Sequence, residues 1–126
     1  MKTFETQSAL FKILAHPARL SILEILRDGE QCVCHIEAML KLRQAYISQH
    51  LMVLREAGLV SDRRDGWNMY YRVIKPEIYA ILDAMNTLTG SAVSLTHAHA
   101  SVECPCPKCN ADPQALPGDQ VTIFSQ

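Results

Sequence analysis

Apolar residues recur at helical spacing over most of the first ninety positions. In residues 6–15 they are Leu10, Phe11, Ile13 and Leu14, which predicts a short first helix. Pro17 suits a first helical position, where a missing N–H costs nothing. Leu20, Ile22, Leu23, Ile25 and Leu26 follow, and Asp28-Gly29 stops this second helix. It is apolar nearly all round, so it is expected at the centre. Residues 33–40 form a third helix on Val33, Ile36, Met39 and Leu40. Residues 44–57 form a fourth, closed by Gly58, with Ile47, Leu51 and Leu54 inward at i, i+4, i+7. Ala45, Ser48, Gln49, Met52 and Glu56 point roughly the other way, and Tyr46 and His50 lie along one edge. Only residues 41–43 separate helices three and four, the spacing of a helix-turn-helix.

The period then changes. Residues 60–64 and 69–73 read as two strands around Asp65-Gly66, a strong hairpin signal. Pro76 opens a last helix with Ile78, Tyr79, Ile81, Leu82, Met85 and Leu88 apolar, and Gly90 ends it. The order is ααααββα: mainly α, with one hairpin. Residues 1–90 are expected as one domain. Residues 91–126 are Ser/Thr/Ala/Pro-rich and hold four of the six prolines, so a mobile tail is expected there unless metal or partner contacts order it. No internal repeat is apparent.

Charge changes this picture more than composition does. The net charge is −1, which alone argues against a nucleic-acid partner. Residues 41–75, however, carry Lys41, Arg43, Arg55, Arg63, Arg64, Arg72 and Lys75 against Glu56, Asp62 and Asp65, a local net of +4. A local basic patch over the helix-turn-helix and hairpin is what phosphate contact requires, whatever the total. No apolar run approaches the ~20 residues of a membrane helix. Met1 to Leu10 holds no signal-peptide apolar region, so a cytoplasmic location is expected.

The five cysteines fall in two groups: Cys32 and Cys34, and Cys104, Cys106 and Cys109. In a reducing compartment such clusters bind soft metals or undergo redox chemistry more often than they form structural disulfides. Residues i and i+2 of a regular helix point to nearly opposite sides. Cys32 and Cys34 therefore share one ion only if the start of the third helix is extended. Pro105 and Pro107 keep the tail thiols out of a regular helix, in a chain able to wrap a metal. His97 and His99 are expected to be solvent-exposed, as is His35. Cys-x-Cys and Cys-x-x-Cys pairs also exchange disulfides. No strand-helix framework, Ser/His/Asp group or phosphate loop accompanies them, so an enzyme is not expected.

His16-Pro17-Ala18-Arg19-Leu20, Cys32-Val33-Cys34, Ile47-Ser48-Gln49-His50-Leu51, Ala57-Gly58-Leu59-Val60, Arg63-Arg64-Asp65-Gly66 and Tyr70-Tyr71 follow one another in order. Together they resemble the ArsR/SmtB family of winged-helix metalloregulatory repressors, over roughly residues 5–90. The resemblance implies a homodimeric winged helix-turn-helix repressor. Its first and last helices would build the dimer interface, the fourth helix would enter the major groove, and the hairpin would be a wing. Apo-protein would bind operator DNA, and a bound ion would lower that affinity. Cys32 and Cys34 look like the thiolate pair of arsenic, cadmium and lead sensors. As(III) is the favoured inducer, with Cd(II), Pb(II) or Zn(II) as alternatives and a thiol-redox switch as another.

Two departures matter. Glu37 stands where a third thiol often follows, so tail thiolates would have to complete the site. No His accompanies Asp83 in the last helix, so that family's second zinc site is not expected. His16 resembles a structural position of the family. A helix-turn-helix dimer places its reading helices about 34 Å apart, so the operator would be an imperfect inverted repeat. The expected DNA-contacting residues are Arg43, Gln44, Tyr46, Ser48, Gln49, His50, Arg63 and Arg64. Trp67, at the hairpin tip, would touch the backbone or tuck into the domain.

Overall fold

The computed structural model describes residues 1–91. The tail expectation, apart from Ser91, and Cys104, Cys106 and Cys109 lie outside the described residues. The elements are α1 (Lys2–Leu14), α2 (Pro17–Ile25), a 3₁₀ turn (Leu26–Asp28), β1 (Gln31–Cys32), α3 (Val33–Leu40), α4 (Gln44–Glu56), β2 (Val60–Asp65), β3 (Asn68–Val73) and α5 (Ile78–Thr89).

α2 is central, as its all-round apolar pattern requires: Ile22, Leu23 and Ile25 are fully buried. Around it pack Leu14 of α1, Val33 and Ile36 of α3, Ile47, Leu51 and Leu54 of α4, Val60 and Tyr71 of the hairpin, and Ile78 and Leu82 of α5. α5 is fastened to α2 by polar contacts as well. The Tyr79 hydroxyl donates to the Leu23 carbonyl at 2.6 Å. Arg27 bridges Glu24 at 2.8 Å and Asp83 at 2.7 Å, its guanidinium 4.5 Å from the Tyr79 ring centroid.

The boundaries depart from expectation at three places. α1 starts at Lys2 rather than residue 6, because Lys2 to Glu5 contain no breaker and the Glu5 N–H reaches the Met1 carbonyl at 2.9 Å. α5 starts at Ile78, after a turn in which the Ile78 N–H donates to the Lys75 carbonyl at 3.0 Å. The hairpin closes on the pair Asp65 and Asn68, so its central residues are Gly66-Trp67 rather than Asp65-Gly66. Gly66 has φ 64°, the positive φ that the first position of a type II′ turn demands.

The element missing from the sequence reading is β1. Two residues are too short to show any period. β1 pairs antiparallel with β3 through Gln31 with Tyr71 and Cys32 with Tyr70, giving a three-stranded sheet in the order β1-β3-β2. The hairpin therefore extends from a sheet whose edge strand carries Cys32.

Candidate nucleic-acid interface and thiol site

α4 exposes the face opposite its inward stripe, as its periodicity implied. With Ile47, Leu51 and Leu54 at 0% exposure, Gln44, Ala45, Gln49 and Met52 are left exposed and Ser48 half-buried. Arg43 is the exposed N-cap residue, with an extended backbone and no side-chain capping bond. The first N–H groups of α4 therefore keep the partial positive charge that favours an anion.

His50 departs from that face. It is only 5% exposed, and its Nδ1 accepts a hydrogen bond from Arg19 Nε at 3.0 Å. Arg19 also donates to the Ile13 carbonyl at 2.9 Å, so His50 ties α4 to α2 and to the end of α1. Its ring lies 4.4 Å from that of His16 and meets Tyr46 edge-on at 4.5 Å. Burial, then the charges of His16 and Arg19, push the His50 pKa below its ordinary value. The signal was available in the sequence. His50 falls three residues after Ile47 and four before Leu54, within the inward stripe. Tyr46 is 42% exposed and packs its ring against this anchor.

The wing arginines divide. Arg64 is exposed and forms no ion pair among the described residues. Arg63 is engaged: its Nε and one terminal nitrogen donate to both Glu30 carboxylate oxygens, at 3.0 and 2.7 Å. Its guanidinium also lies 4.6 Å from the Tyr70 ring centroid. Arg55 pairs with Asp62 at 2.8 Å. The basic patch that remains uncommitted among the described residues is Lys41, Arg43, Arg64, Arg72 and Lys75. Trp67 does not tuck into the domain; it is 98% exposed at the hairpin tip.

The thiols meet where α3 begins. Cys32 ends β1 and is the N-cap of α3, with extended φ −80° and ψ 156°. This is the distortion the C-x-C spacing required: Cys32 lies outside the helix and Cys34 inside it. Their Cα atoms are 5.3 Å apart, and the two sulfurs are joined as a disulfide. Cys32 Sγ accepts the His35 backbone N–H at 3.2 Å, one of the donors a helix start leaves open. Cys32 is fully buried against Tyr70, whereas Cys34 is half-buried. His35 is 5% exposed, not the surface residue expected. Its position one turn before Met39 on a short helix gave no hint of this.

Reduced to thiolates, the pair is close enough to supply two corners of a soft-ion site. No group of three or more His, Cys, Asp or Glu side chains able to hold a metal occurs among the described residues. Glu37 does not supply the third ligand, and Asp83 is held by Arg27.

A helix-turn-helix whose second helix is exposed, followed by a hairpin beside it, defines a winged helix-turn-helix DNA-binding module. Residues 16–62 match the model of the bacterial regulatory protein, arsR family. The arsenic resistance transcriptional regulator ArsR1 of Pseudomonas putida is 46% identical over 87 residues, covering 68% of this chain and 66% of that protein. The arsenical resistance operon repressor of Escherichia coli is 47% identical over 72 residues, covering 56% and 61%. The match thus spans just under two thirds of each relative. The crystal structure of NolR from Sinorhizobium fredii superposes with a TM-score of 0.66 at 34% identity, covering 72% of this chain and 91% of that one. The chain belongs to the arsR family, whose members are transcriptional regulators rather than enzymes.

Proposed function

We infer that this protein is a homodimeric repressor that holds operator DNA when metal-free and releases it when As(III) binds Cys32 and Cys34. The observation that carries the reading is the convergence of the two sulfurs at the N-cap of α3, one short connection from the reading helix. As(III) takes three thiolates, and one of Cys104, Cys106 or Cys109 supplies the third, from the same or the partner subunit. Arsenic resistance regulators among the relatives favour As(III) over Cd(II), Pb(II) or Zn(II). In DNA contact, Gln44 and Gln49 read base edges, with Tyr46 and Ser48 beside them. Arg43 and Arg64 meet phosphates.

Anaerobic titration with As(III), with and without operator, tests this. Thiolate-to-metal charge-transfer absorption should appear as DNA is released. Cys32→Ser and Cys34→Ser should abolish both, and a single tail Cys→Ser should weaken them. Operator binding that ignores As(III) in the reduced protein would refute the reading. The Cys32–Cys34 disulfide supports a second reading, a redox switch at the same sulfurs. A mild oxidant would then release DNA where As(III) does not.

A further inference from the structure

On the proposed function, an effector bound at α3 acts at the DNA surface. Arg63 was expected at a phosphate, but its guanidinium is occupied from two sides. Both Glu30 carboxylate oxygens accept from it, at 3.0 and 2.7 Å, and the Tyr70 ring lies under it at 4.6 Å. Such a two-point Arg–carboxylate contact fixes orientation as well as distance. Arg63 belongs to β2 and stands opposite Tyr70 of β3; Tyr70 in turn stands opposite Cys32 of β1. Glu30 is two residues before Cys32. One cross-sheet row therefore runs from Cys32 through the Tyr70 ring to Arg63, and Glu30, the residue just before β1, ties its far end back to the start of that strand.

We propose that Glu30 and Arg63 are positioning residues that couple the thiol site to the wing. The proposal rests on the functional reading given above. Cys32 is fully buried against Tyr70 and caps α3 through the His35 N–H. Once an external thiol reductant has opened the Cys32–Cys34 disulfide to two thiolates, an ion held between them keeps the sulfurs apart, and Cys32 shifts in its packing against Tyr70. β1 holds to β3 through only two residue pairs, so a displaced Cys32 carries its strand along. Glu30 moves with β1 and draws on Arg63, which is rooted in the wing. Ion capture thus reorients the hairpin relative to α4, and the two DNA-contacting elements no longer fit one duplex together. Linkage requires the same coupling in reverse: DNA that holds the wing in place weakens ion binding.

A double-mutant cycle with Glu30→Gln, Arg63→Gln and the double variant tests the coupling, using full-length reduced protein and a dye-labelled operator. Three quantities are read: metal-free operator affinity, As(III) affinity without DNA by charge-transfer absorption, and the factor by which As(III) lowers operator affinity. In the wild type that factor should lie in the usual range of about 5–150-fold. Glu30→Gln should still bind As(III) and should not weaken metal-free operator binding, yet its coupling factor should fall below about threefold. The double variant should lose no more coupling than either single one, because both remove the same link. Full coupling in Glu30→Gln, or losses that add in the double variant, would overturn the proposal. So would a drop in the salt slope of metal-free binding for Arg63→Gln as large as that for Arg64→Ala, since Arg63 would then be a phosphate contact. A wild type that binds operator but ignores As(III) would overturn the functional reading, and the coupling with it.

Discussion

Neighbouring residues of one type have different partners here. Arg63 and Arg64 are adjacent, but only Arg63 is held by a carboxylate and a ring. Arg64→Ala should weaken binding to all DNA sequences alike and lower the salt slope of log K by about 1, measured by titrations at several salt concentrations. His50 offers a second contrast with the polar residues around it. Its folded pKa is depressed below 6.5 by burial, so the native state resists the proton that the unfolded chain accepts. The sign follows from linkage: stability is fully present above 6.5 and declines as pH falls below it. Thermal unfolding between pH 8 and 5 should show the melting temperature dropping on the acid side. His50→Gln should flatten that drop while lowering stability at neutral pH. Trp67, the sole tryptophan and 98% exposed, should emit as a solvated indole and report wing docking by a change in emission on operator binding.

At the scale of elements, α4 joins a fully buried inward stripe to an exposed polar face. Its inward residues Ile47, Leu51 and Leu54 are fully buried, so packing sets the angle at which Gln44 and Gln49 are presented. Leu51→Ala should cost about 2–5 kcal/mol of stability in denaturant unfolding. Its operator affinity should fall even at temperatures where the protein stays folded. The wing depends on one backbone angle. Gly66 has φ 64° with no atom within 4 Å of an added Cβ, so an alanine there meets no clash and only the conformational penalty. Gly66→Ala should cost about 1–3 kcal/mol. These elements were legible because each spans several periods of its own pattern. β1 was not, because a two-residue strand has no pattern and exists only through pairing with β3.

At the scale of the molecule, the outer faces of α1 and α5 remain unsatisfied. Phe4 is 65% exposed, Phe11 53%, Met85 43% and Leu88 79%, a concentration of apolar surface on the two helices the family resemblance assigns to subunit contact. Phe11→Asp should shift sedimentation from dimer towards monomer. It should also reduce binding to an inverted repeat far more than binding to a single half-site, because the second reading helix is lost.

Read alone, the sequence determined the helices, the hairpin, their order, the inward stripe of α4 and the pair of thiols. These depend on local periodicity and on residue type, which a linear chain displays directly. The resemblance to the arsR family came from the same local motifs, and the match over residues 16–62 agrees with it. Tertiary structure decided what each polar residue is committed to. It turned His50 inward onto Arg19, buried His35, spent Arg63 on Glu30, and left Trp67 in solvent. It also resolved the geometric constraint on Cys32 and Cys34 by placing the first in a strand and the second in a helix. For His50 and Arg63 the physical reason is the same: a partner 31 or 33 residues away along the chain leaves no trace in local spacing, and only folding brings the two side chains together.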